Sequence, residues 1–205
     1  MEKDKVAILI DGGFIRQKLY SDSKKQPEAS DIVGYCNRLL ENPKLVNCRL
    51  FRVYYYDCMP YEKDGVHPLS NRVIQFSSTP MSLHNRKVIQ DLELQETFAV
   101  RKGEIAFRGW RLAKRTNHDV LSGKKQIEEK DIIPDMAQKG VDMRIGLDIA
   151  WLAIKRIVDG VVLITGDADF IPAMKLARKE GLIIYLDSMN NPVKRELKVH
   201  ADVLL

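Results

Sequence analysis

Val6-Ala7-Ile8-Leu9-Ile10-Asp11-Gly12-Gly13 is the stretch on which the fold turns. Five apolar residues in a row, too few for a helix of ordinary length, read as a strand buried on both faces, the kind found inside parallel sheets. Asp11 then stands at the strand's carboxyl end, and Gly12-Gly13 permits a tight turn into a helix over Phe14 to Tyr20. A second stretch repeats the pattern: Val161-Val162-Leu163-Ile164-Thr165-Gly166-Asp167-Ala168-Asp169, leading into an amphipathic helix from Ala168 to Glu180 with Gly181 as its cap.

Outward from these two stretches, strands and helices alternate. Ser30 or Asp31 caps a helix that Asn42-Pro43 stops, and Asn47 to Asp57 reads as a strand rich in β-branched and aromatic residues. Asn71 to Phe76 and His84 to Phe98 have helical spacing interrupted by Pro80, and Glu104 to Phe107 suggests a strand. Val141 to Val158 is apolar nearly all round, which predicts a largely buried helix. Leu182 to Leu186 is a further strand, and Pro192 to Val199 a last short helix. Alternation of this kind implies an α/β fold with a mostly parallel central sheet and helices on both faces. Ligands in such folds bind beyond the carboxyl ends of the strands.

The acids fall there. A buried carboxylate costs several kcal/mol unless it is paired or bound to a cation. Taken singly, Asp11 has an ordinary use as a turn residue, Asp167 as a helix cap and Asp169 as a complement to the helix dipole. Asp148 is harder to explain so, because Ile145, Leu147, Ile149, Trp151 and Leu152 surround it on its helix. Arg144, one turn earlier, is its plainest partner. Asp142 and Asp148 lie six positions apart, about 120° on a helical wheel, so both line one site only if Asp142 sits on the loop entering the helix. Together the five acids suggest a divalent-metal site.

Composition bounds the rest. A chain of 205 residues with 45% hydrophobic and 30% charged residues reads as one globular domain, 1–205, with a basic irregular or hairpin excursion at about 109–138. No apolar run reaches the ~18 residues of a membrane span, and the first residues lead directly into a strand with no signal-peptide pattern. Cys36, Cys48 and Cys58 show no paired spacing, which fits a reducing, cytoplasmic setting. The four histidines are scattered without metal-ligand spacing. A net charge of +5 and a pI near 9.0 suit a polyanionic partner. Arg101, Lys102, Arg108, Arg111, Lys114, Arg115, Lys124 and Lys125, interleaved with Phe107, Trp110 and His118, form a stretch able to neutralise phosphates and stack bases of a single strand. A solvated excursion with Trp110 in the core is the competing reading. Lys139 is a further candidate for a phosphate contact.

Four blocks in order resemble the NYN domains of the PIN-like nuclease superfamily, and most closely the LabA-like group: Ile10-Asp11-Gly12-Gly13-Phe14, Lys139-Gly140-Val141-Asp142, Asp148, and Thr165-Gly166-Asp167-Ala168-Asp169-Phe170. The resemblance implies a Rossmann-like PIN fold and a metal-dependent ribonuclease. Asp11, Asp142, Asp148, Asp167 and Asp169 would be its catalytic and metal-binding residues, with Mg²⁺ or Mn²⁺ as cofactor. RNA, taken as single-stranded, is the partner implied, contacted by Lys139, Arg108, Trp110, Arg111, Lys114 and Arg115; a membrane is not, and homo-oligomerisation stays open. Where many NYN proteins carry Asn three residues after the first Asp, this chain has Phe14. The alternative is therefore an NYN domain of weak or no activity serving as an RNA-binding or protein-interaction module. A haloacid-type phosphatase would want an acid where Gly13 stands. A dinucleotide-binding enzyme would want GxGxxG and no acid at the strand tip.

Overall fold

The computed structural model describes residues 3–113 and 126–205. The chain forms two compact units, a larger one of Met1–Asp57, Val88–Gly103 and Gly140–Leu205, and a smaller one of Cys58–Lys87 and Glu104–Lys139.

The larger unit is built around β1 (Asp4–Asp11), whose residues Val6 to Ile10 have no exposed surface. Burial on both faces is what an unbroken apolar run demands. β1 pairs in parallel with β2 (Cys48–Cys58) on one side and β7 (Gly160–Ile164) on the other. β7 pairs in parallel with β8 (Ile183–Asp187), and β8 with β9 (Val203–Leu204). Strand order thus reverses direction at β1, and the crevice between the ends of β1 and β7 is the topological switch point. The sheet is mostly parallel and flanked by helices. α1 (Gly12–Ser23) packs on α2 (Ala29–Leu40), while α4 (Val141–Ile154) packs on β1 and on α5 (Ile171–Lys179). A short α6 (Arg195–Val199) precedes β9.

Local chemistry sets several boundaries. Asp11 is the N-cap of α1, its side chain accepting from the Phe14 N–H. Glu28 rather than Ser30 or Asp31 is the N-cap of α2, in a capping box whose other half is Asp31. Gly12 is dictated by close approach: a Cβ there would stand 2.6 Å from the Tyr56 carbonyl oxygen and 2.8 Å from the Tyr55 ring.

In the smaller unit, β3 (Asp64–Val66) and β4 (Val73–Gln75) form an antiparallel hairpin. The helix expected over Asn71 to Phe76 is therefore a strand followed by a single helical turn at Phe76–Ser78. Pro80 opens α3 (Pro80–Glu93) instead of interrupting it, since a first-turn proline gives up no intrahelical bond. Phe98 belongs to β5 (Phe98–Leu112), which runs from the larger unit into the smaller. From Glu104 onward it pairs antiparallel with β6 (Ile132–Lys139), with an irregularity between Phe107 and Trp110. The charged excursion is a hairpin as far as it is described. Tyr61, Phe76, Phe107 and Trp110 supply this unit's apolar centre, with ring centroids 5.4–6.0 Å apart.

α4 departs from expectation. It buries Val141, Ile145, Ile149, Leu152 and Ala153 but leaves Met143, Leu147, Trp151 and Ile154 exposed. Among the described residues no helix is long and apolar enough to cross a membrane.

Candidate active site

The crevice at the switch point is organised by one hydroxyl. Thr165, fully buried just past β7, donates from Oγ1 to Asp11 Oδ2 at 3.4 Å and accepts from the Asp167 N–H at 3.1 Å. The end of β1 is thereby tied to the loop after β7. The other carboxylate oxygen of Asp11 accepts from the Phe14 N–H at 3.1 Å, so this acid is held on both oxygens and sits at the positive end of α1. Asp167 Oδ1 accepts from the Asp169 N–H at 2.9 Å, capping the turn Ala168–Phe170 that leads into α5. Gly166 between them lies under Phe14, where a Cβ would stand 2.8 Å from the ring. Phe14 therefore lays its ring against Gly166, while its backbone performs the capping.

Asp142 enters from α4. It occupies the second position of that helix, after the Gly140 cap, which has the left-handed conformation (φ 76°). Its carboxyl is raised above the ordinary value, first by partial loss of hydration and then by the negative charges of Asp167 and Asp169. Asp11 is raised too, first by burial, then by Asp142 and Asp57, against the lowering effect of the Phe14 and Thr165 hydrogen bonds. Mutual repulsion places Asp11, Asp142, Asp167 and Asp169 in one electrostatic neighbourhood. Among the described residues, no cationic side chain forms an ion pair with any of the four.

Asp148 has partners of its own. Its Oδ2 accepts from the Tyr56 hydroxyl at 2.7 Å and from Arg101 Nε at 3.1 Å. Asp142 is helical rather than on the entering loop, so the two carboxylates leave α4 about 120° apart. Arg144 is not the partner; it turns back to the Gly140 carbonyl at 2.8 Å. Arg101 also stacks over Tyr54, 5.3 Å from its centroid. Burial first, then Asp148, pushes the Tyr56 hydroxyl well above its ordinary range.

Asp57 is the strand-end acid missing from the predicted set. It is 1% exposed at the end of β2, gripped by Arg16 Nη2 at 2.9 Å and by the Tyr55 hydroxyl at 3.0 Å. Its signal in the sequence is the one Asp11 gives, an acid closing a β-branched and aromatic run. Asp187 closes β8 in the same way, buried against the Tyr35 hydroxyl at 2.6 Å.

Hard oxygen donors with no cationic partner fit a hard divalent cation. Among the described residues, however, no three Asp, Glu, His or Cys side chains stand close enough together to hold an ion directly. Mg²⁺ characteristically takes one or two carboxylates and keeps several waters. The donor set fits a hydrated cation of that kind, held directly by one or two aspartates and through water by the others.

A family model described as the NYN domain matches residues 73–204, well over half of the chain. The chain belongs to the NYN family. The matched stretch holds Asp142, Asp148, Asp167 and Asp169, while Asp11 precedes it. NYN membership points to a nuclease-like function, and PIN-like nuclease domains typically use divalent metals. A crystal structure of a protein of unknown function from Vibrio parahaemolyticus is similar over 100% of this chain and 93% of its own, with a TM-score of 0.52 and 15% identity. At that identity the likeness concerns the fold, and it agrees with the α/β architecture. No curated protein matches the chain.

The described residues among those expected to meet nucleic acid in this NYN protein, Arg108, Trp110, Arg111 and Lys139, belong to the smaller unit. Arg108 and Lys139 are exposed. Arg111 pairs with Asp135 at 3.4 Å. Trp110 is half-buried and packs against His67, Phe76 and Phe107. Lys114 and Arg115, with Lys124, Lys125 and His118, lie outside the described residues. The smaller unit also holds a hollow of about 520 Å³ beside Trp110, His67 and Arg72, lined by none of the five predicted aspartates.

Proposed function

We propose that this NYN protein, of the LabA-like group, is a metal-dependent endoribonuclease that hydrolyses RNA phosphodiesters at the switch-point crevice. The observation that carries the reading is the gathering of Asp11, Asp142, Asp167 and Asp169 at the ends of β1 and β7 without a cationic partner among the described residues. Four carboxylates left to repel one another are tolerated where a cation offsets them. Asp11 and Asp167 are the acids fixed by hydrogen bonds and suit direct ligation of Mg²⁺ or Mn²⁺. Asp142 and Asp169 suit contacts through water. When bound, the ion supplies a more acidic water and neutralises charge on the phosphodiester oxygens.

The chain's own side chains set the geometry for that chemistry. Thr165 fixes the separation of Asp11 and Asp167. Asp142, raised by partial burial and then by its acidic neighbours, is the acid best suited to take a proton from an attacking water and release it to solvent. The Phe14 ring holds the Gly166 backbone in place by close contact. Asp148 we assign as a positioning residue that holds Tyr56 and Arg101. Exposed Arg108 and Lys139 are proposed to contact RNA phosphates.

The test is incubation of the protein with end-labelled single-stranded and structured RNA in Mg²⁺, Mn²⁺ or EDTA. Products that require metal and vanish in Asp167→Asn support the enzyme. Retention of RNA with no product from any substrate would establish the alternative, a non-cutting RNA-binding module, for which the ring at position 14 is the motivating feature.

A further inference from the structure

We infer that the hollow beside Trp110 is a guanine-binding site, taking the base of a free guanine nucleotide or of a guanine in an RNA strand. Its volume of about 520 Å³ lies within the ~300–1,000 Å³ of small-ligand sites. Every residue lining it belongs to the smaller unit. Its apolar wall is Ile74, Ile132, Pro134 and the half-buried Trp110. Phe76 and Phe107 pack on the Trp110 ring with centroids 6.0 and 5.6 Å away, so the ring is fixed before any ligand arrives. A fixed aromatic surface suits the stacking of a flat heterocycle. His67 supplies a polar group. It lines the hollow although it is only 2% exposed. Its Nδ1 accepts from the Leu69 and Ser70 N–H groups, each at 3.4 Å, which places the ring proton on Nε2. Among the described residues that Nε2–H has no hydrogen-bond partner, and the one fully enclosed side-chain nitrogen or oxygen without a partner is Arg86 Nε. Nε2 therefore keeps open surface, and the hollow is the space the ring borders. A donor so deeply placed and unpaired is stabilised when a ligand brings an acceptor.

Guanine is the base favoured because the hollow combines that donor with a carboxylate. Glu129 lines it, and both of its printed contacts, Ser70 Oγ at 3.0 Å and Arg72 Nε at 4.0 Å, fall on Oε1. Oε2 has no partner among the described residues. The neighbouring acid Glu128 is engaged by Lys130 at 2.6 Å and caps the turn Glu129–Asp131. A carboxylate only accepts hydrogen bonds. Guanine offers it two adjacent donors, N1–H and N2–H, with O6 and N7 left as acceptors for a histidine or arginine donor. Adenine and cytosine set an acceptor beside a single amino donor, and uracil sets acceptors on both sides of its imino N–H. Arg72, exposed beside Glu129, suits the nucleotide's phosphate. Binding here does not depend on the aspartate crevice being catalytic; the RNA source alone draws on the reading of RNA as substrate.

Trp110 reports on the site directly. In Trp151→Phe it is the remaining tryptophan, and a base stacked on it should quench its emission. Titrating in EDTA keeps metal and cleavage out of the measurement, so failure here is separate from failure of the nuclease reading. GMP should quench saturably, at a half-saturating concentration at least about tenfold below those of AMP, CMP and UMP. Glu129→Gln, at an exposed position, should raise the value for GMP at least about tenfold. His67→Phe keeps a ring without the donor and should weaken GMP likewise; Glu129→Gln decides the matter if that buried substitution prevents folding. A short RNA with one guanine that saturates at lower concentration than GMP identifies a strand as the source, while GMP saturating at the same or lower concentration identifies the free nucleotide. Absence of saturable quenching by either, equal response to all four nucleotides, or GMP binding unchanged in Glu129→Gln overturns the proposal.

Discussion

Replacing Arg16 by Met tests whether the strand-end acids are held as described. Asp57 is 1% exposed and Arg16 20%, so the pair is effectively removed from water and its short contact of 2.9 Å is little screened. Breaking a buried pair by deleting one partner ordinarily costs about 3–5 kcal/mol, because the remaining charge is left without compensation. The Tyr55 hydroxyl stays on Asp57, which favours the lower end of that range. Arg16 also donates to the Gly12 carbonyl at 3.3 Å, and that bond is lost as well. For a chain of this size each kcal/mol corresponds to roughly 2–4 °C, so a fall in Tm of about 6–15 °C is expected in differential scanning calorimetry at neutral pH. Adding Asp57→Asn to Arg16→Met should recover much of the loss, since the uncompensated charge is gone. A loss under about 1 kcal/mol, the value of an exposed pair, would refute the reasoning. So would failure of the second substitution to rescue.

Asp11→Asn should leave the protein more stable than wild type in EDTA at pH 7. The carboxyl of Asp11 is raised above 3.8 in the folded state, so its favourable contribution is present below that value and is lost as pH rises through the folded-state value. Melting curves in EDTA from pH 3 to 7 should show wild type losing ground to the variant over that window, and a constant difference would contradict it. Mg²⁺ should raise the Tm of wild type and leave the variant unmoved. Thr165→Val keeps shape but removes the hydroxyl joining Asp11 to the Asp167 loop; a loss of about 1–3 kcal/mol is expected in urea denaturation, with Thr165→Ser largely retaining stability.

Much of the larger unit was legible because its strands are continuous apolar runs closed by polar punctuation. Val6 to Ile10 and Val161 to Ile164 could be nothing shorter-ranged than buried strands. Asp11, Asp167 and Asp169 followed because the same punctuation placed them at strand ends. Asp57 and Asp187 carry that mark too, yet Asp57 is satisfied by Arg16 and by Tyr55 two residues back on its own strand, and Asp187 by Tyr35 from a distant segment, contacts that periodicity does not encode. Asp148 was correctly read as needing a partner. The partner is Arg101 from another segment and not Arg144, because a helix-start carbonyl competes for Arg144. The smaller unit was less legible: β3 and β4 are three residues each, too short for a two-residue alternation to register against the helical spacing of Asn71 to Phe76. The burial of α4 was overestimated because an apolar residue reads the same in sequence whether or not another element packs over it, and Met143, Leu147, Trp151 and Ile154 stay exposed.

The central claim is that Asp11, Asp142, Asp167 and Asp169 form a cation pocket from which Asp148 stands apart. Calorimetric titration of the protein with Mn²⁺ addresses it without reference to any substrate. Stoichiometric binding should be present in wild type, abolished in Asp11→Asn and Asp167→Asn, and weakened by less than about tenfold in Asp148→Asn. Binding that survives in Asp11→Asn and Asp167→Asn while disappearing in Asp148→Asn would contradict the account.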